Sequence, residues 1–141
     1  MRYLSIIIVT ILFALKIASA ADNNDREKFL IQGTIEIAKG ITQEISANDR
    51  LIIKLFHPGK DGLEMDTTYR IMDSFTLPLD FAAGPAVGMS GSTKHKTYII
   101  EVFTDTDKDV LSRAPDELFV SSENPIKLGT KNVSLKLKSI R

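Results

Sequence analysis

The chain has 141 residues, 18 basic and 18 acidic side chains, and no cysteine. That length fits a single domain. The missing thiols exclude a disulfide framework, thiol catalysis, a thiolate metal site and a lipid-modified cysteine. The even charge balance gives no electrostatic pull toward nucleic acid or an anionic membrane.

Residues 1–20, MRYLSIIIVTILFALKIASA, read as a cleaved secretory signal. Arg2 stands near the start, an apolar run extends from Leu4 to Leu15, and Ala18-Ser19-Ala20 offers the small-x-small pattern of a cleavage site. The run is shorter than the ~20 residues a membrane-spanning helix needs. Cleavage after Ala20 leaves a chain with a formal charge of −2. Residues 21–28 form a polar lead, and 29–141 the domain.

The first strand is expected in FLIQGTIEI, where Phe29, Ile31, Ile35 and Ile37 share one face and Gln32, Thr34 and Glu36 the other. Arg50 to Phe56 is apolar on both faces and so reads as a central strand. His57-Pro58-Gly59 and Asp61-Gly62 then punctuate the chain. Phe75, Leu77, Leu79 and Phe81 alternate in SFTLPLDF, and Pro78, with no N–H to donate, places that strand at a sheet edge or breaks it there. A Gly-rich loop follows, with Gly84, Pro85, Gly88 and Gly91. Thr97 to Thr104 is the second central strand. Short strands at Leu118 to Val120 and Ile126 to Leu128, and an alternating one through Val133, Leu135 and Leu137, close the chain. About seven short strands separated by turns predict an all-β domain, a single antiparallel β-sandwich of prealbumin or immunoglobulin character.

The acidic stretch DTDKDVLSRAPDEL, Asp105 to Leu118, carries the clearest chemical signal. Asp105, Asp107, Asp109 and Asp116 fall at relative positions 1, 3, 5 and 12 of a calcium-binding EF-hand loop. Val110 stands where that loop needs Gly, and no helices flank it. The four aspartates are therefore candidate ligands of a looser calcium site at a strand end, beside the reading of a turn whose Asp side chains cap backbone N–H groups. His57 and His95 lie 38 residues apart at loop positions and fall short of the three or four ligands zinc needs. No G-x-S-x-G elbow accompanies them, so no catalytic residue is assigned. Asn132-Val133-Ser134 matches a glycosylation sequon inside the last expected strand.

Three segments, FTLPLDFAAGPAVGM (Phe75 to Met89), DTDKDVLSRAPDEL and NPIKLGTKNVSLKL (Asn124 to Leu137), together resemble the C-terminal periplasmic domain of cytochrome c-type biogenesis proteins of the CcmI/CycH type. The similarity spans about Ile31 to Ile140. Asp116 and Glu117 stand where that family has Gly-Asp, and its membrane helices and tetratricopeptide repeats are missing here. The resemblance implies a small all-β periplasmic module that assists delivery of unfolded apocytochrome c. The expected activity is thus binding, with an apocytochrome or another unfolded polypeptide as partner and no cofactor beyond the calcium already named. Strand addition at the edge near Pro78 nominates Phe75, Leu77, Pro78, Leu79 and Met89 as partner-binding residues. The alternatives are a pilotin- or lipoprotein-like assembly factor and a calcium-stabilised secreted structural module.

Overall fold

The structure, a computed structural model, describes residues 25–140. The expected signal segment, and the polar lead up to residue 24, lie outside the described residues. Eight strands follow one another: β1 (Ile31–Ile37), β2 (Arg50–Pro58), β3 (Glu64–Met72), β4 (Leu79–Ala83), β5 (Thr97–Asp105), β6 (Leu118–Ser121), β7 (Ile126–Lys127) and β8 (Val133–Ser139). A 3-10 turn at Lys60–Gly62 links β2 to β3.

The strands form one curled sheet in the order β3-β2-β5-β6-β8-β1-β4, with β7 beside β5. The curl makes a half-barrel rather than the expected antiparallel sandwich. The departure lies at β1 and β8, which run parallel in register from Gly33↔Val133 to Ile37↔Leu137. Antiparallel neighbours are favoured where a short hairpin joins them. These two strands open and close the described sheet, so no short connection dictates their direction. The far end of β8 pairs antiparallel with β6, Leu118↔Ser139 and Phe119↔Lys138, and β8 thereby joins the two halves of the curl.

Inward side chains from both halves meet in a single core. Ile31 and Ile35 of β1, Leu51 and Ile53 of β2, Ile100 of β5 and Leu137 of β8 are among its fully buried members. Burying each such side chain stabilises the fold by about 1.5–3 kcal/mol. Gly33 permits the parallel pairing. A Cβ built there would sit 1.9 Å from the Val133 carbonyl oxygen, so only glycine lets β1 approach β8 this closely.

β3 is a strand that the sequence does not announce, because both of its faces are largely exposed and an apolar alternation never develops. Its period is broken as well. Leu55 pairs with Thr68 and His57 with Met65, so Asp66 and Thr67 together oppose Phe56 in a β-bulge, with Asp66 at φ +53°. The strand expected at Phe75 to Phe81 begins only at Leu79, directly after Pro78, which has no N–H to give to a ladder.

Candidate functional site

Two regions gather polar or apolar groups beyond what packing needs. The first is the acidic loop between β5 and β6. Asp105, the last residue of β5, is fully buried, as is Glu117, which immediately precedes β6. With exposed Asp107 they each bring a carboxylate oxygen to within 4.8 Å of the others. Arg50 of β2 donates from Nε to Asp105 Oδ2 at 2.9 Å and from Nη2 to the same oxygen. Asp105 Oδ1 is buried and accepts no hydrogen bond.

Glu117 ties the loop at both ends, Oε1 accepting from the Thr106 N–H at 3.1 Å and Oε2 from the Ala114 N–H at 3.0 Å. Burial pushes the Glu117 carboxyl up against these two bonds, and the charges of Asp107 and Asp105 add to the push. Of the four candidate aspartates, the structure brings Asp105 and Asp107 together and leaves Asp109 and Asp116 outside the cluster. Asp109 accepts from the Leu111 N–H and the Ser112 hydroxyl, bonds that hold its carboxyl below the usual range. Asp116 accepts from the Thr106 hydroxyl at 3.3 Å. Glu117 takes their place. Its signal in the sequence was an acid directly before a strand, one residue past the EF-hand position.

The second region is the outer face of β3, β2, β5 and β6. The registers place Ile71, Ile52, Phe103 and Phe119 in one row across the four strands. Tyr69, Lys54, Glu101 and Ser121 form the next row. In the middle of the apolar row Ile52 and Phe103 are fully buried, although they point away from the main core. The acidic loop supplies part of the cover: the Arg113 guanidinium stacks 3.3 Å above the Phe103 ring and comes within 3.9 Å of Glu101. Burial works against the Lys54 charge, but a 2.6 Å bond to Glu64 and the nearby Glu101 carboxylate outweigh it, and the ammonium pKa is raised. At the β3 end the row is open. Ile71 is 47% exposed and Tyr69, in the next row, 44%.

The expected partner residues take up different places. Phe75, Leu77 and Leu79 are half-buried and pack against the core, Pro78 sits in the cis turn, and Met89 is fully exposed in the Gly-rich loop. The histidines, read as unrelated loop residues, are brought together. Their rings stack at 3.8 Å, and His57 Nδ1 lies 2.8 Å from the Thr97 carbonyl, to which it donates. No spacing in the sequence announces this pair, because it depends on the β2–β5 register that places Phe56 opposite Ile99. Both rings meet Tyr98 edge-on, and the buried Tyr98 hydroxyl donates to Asp66 in the β3 bulge at 2.5 Å. Burial and that acceptor push the Tyr98 phenol well above its usual pKa.

No family model matches the chain, and no curated protein does. Among solved structures, an alternative pilotin from the type II secretion system of Vibrio cholerae aligns at 13% identity with a TM-score of 0.49. The alignment covers 79% of this chain and 96% of that one.

Proposed function

We propose that the protein is an exported, non-catalytic binding module that takes an extended polypeptide along the free edge of β3. The observation that carries this reading is that strand. It ends the sheet, is nine residues long, and shows Tyr69 and Ile71 exposed on the outer face. An incoming strand gains main-chain hydrogen bonds from such an edge, and its alternate side chains extend the rows that begin at Tyr69 and Ile71. Natural sheets usually shield long apolar edges because they recruit other chains. Export accounts for the apolar N-terminal segment.

An apocytochrome-delivery role and a pilotin-like assembly role are two versions of this activity, differing in the partner. The test is a hydrogen-exchange map with haem-free, unfolded cytochrome c polypeptide in one arm and a panel of short strand-forming peptides in the other. Protection should appear at residues 64–72, and replacing Tyr69 and Ile71 together by Lys should weaken binding at least about tenfold with the melting temperature little changed. Protection with the peptides but not with the cytochrome polypeptide favours the assembly version. Protection confined to β4, or absent in both arms, overturns the proposal.

A further inference from the structure

We propose that Asp105, Asp107 and Glu117 bind a calcium ion that locks the β5–β6 loop onto the sheet. Three features of the site lead there. First, the charge is unbalanced: among the described residues Arg50 pairs with Asp105, and no salt bridge reaches Asp107 or Glu117, which leaves two carboxylates for a divalent cation to neutralise. Second, Asp105 Oδ1 accepts no hydrogen bond from the protein. Its side chain is fully buried, its other oxygen is taken by Arg50, and a buried charged acceptor without a partner is costly. Third, the spacing suits one ion. Oxygens at opposite poles of a calcium ion stand about 4.6–5.2 Å apart, twice the usual bond length, and these three lie within 4.8 Å of one another.

The donors are all carboxylate oxygens, which selects a hard cation over zinc or copper. Each ligand keeps a free lone pair after its protein bonds. Asp107 Oδ1 accepts only the Asp109 N–H, at 2.9 Å, and each Glu117 oxygen accepts one N–H. Waters and loop carbonyls would complete the six to eight oxygens calcium takes. The ion would tie the end of β5 to the start of β6. That fixes the loop bearing Arg113, the side chain that covers Phe103. The site therefore acts on the cover of the outer apolar row, while the free edge of β3 lies at the other end of that row and does not depend on it.

The experiment is a thermal melt of the purified protein in chelator, in 1 mM magnesium and in 1 mM calcium, repeated on Asp107→Asn. Asp107 is exposed, so this variant tests the site without disturbing the core. With a dissociation constant of about 0.1 mM, in the range of extracellular calcium modules, 1 mM calcium should raise the melting temperature by about 5 °C. Magnesium should do less, and in Asp107→Asn the calcium shift should fall to about 1–2 °C. Equal melts in chelator and calcium overturn the proposal, as does a calcium shift of the same size in Asp107→Asn. Neither result bears on strand addition at β3.

Discussion

The two free edges of the sheet are opposites. β4 has five residues, a cis-proline turn just before it, and Gly84 directly after it, packed against the chain at Phe29. Arg70, reaching across from β3, donates to the Ala82 carbonyl at 3.1 Å and uses part of its hydrogen-bonding capacity. β3 has nine residues and exposed apolar side chains. Its one irregularity, the bulge at Asp66 and Thr67, is anchored from inside by Tyr98. Shortness and irregularity are the ordinary means of keeping an edge from recruiting another strand. β4 is the short edge and β3 the long one with exposed apolar side chains, and the proposed binding at β3 rests on that contrast.

The strongest way to break this contrast is to loosen the half of the sheet that holds β4. Gly33→Ala drives a methyl group into the Val133 carbonyl, and separating β1 from β8 should cost about 3 kcal/mol. Hydrogen exchange should then speed up most in β4, β1 and β8 and least in β2 and β3. Uniform acceleration would mean that the two halves open together.

Alkaline pH tests the anchor of β3. The folded-state pKa of Tyr98 is raised, so its contribution to stability is fully present below the unfolded value near 10. As pH climbs above that value the unfolded chain releases the proton and the folded one keeps it. Stability should fall with a slope approaching about 1.4 kcal/mol per pH unit, until the folded pKa is passed. Denaturant titrations at pH 9 to 11 should show this loss, and Tyr98→Phe should remove the part due to this residue.

The smallest effect is expected from Arg70→Ala, which removes an exposed hydrogen bond between the two edges. It should cost about 0.5–1 kcal/mol by chemical denaturation. Its sharper readout is faster exchange in β4 with β3 unchanged.

The strands that could be read from the sequence are those with one clear rule. β1 and β8 alternate, and β2 and β5 are apolar on both faces because each has a neighbour on either side and packing above and below. β3 obeys neither rule, since an edge strand with two wet faces and an internal bulge carries no apolar period. Pro78 pointed to an edge or a break, and both are seen: β4 ends the sheet and starts directly after that residue. At the acidic loop the clustering of aspartates was visible. Which of them converge was not, because counting along the chain follows a helical-loop template and the loop instead closes on Glu117.

The residues alone therefore established an all-β chain with buried central strands and a carboxylate-rich turn, since apolar period and turn chemistry are local properties. Pairing partners are not local. The parallel contact of β1 with β8, the half-barrel curl, the stacked histidines and the meeting of Asp105, Asp107 and Glu117 were settled only by tertiary structure. Each joins residues whose proximity depends on how the whole sheet closes over its core.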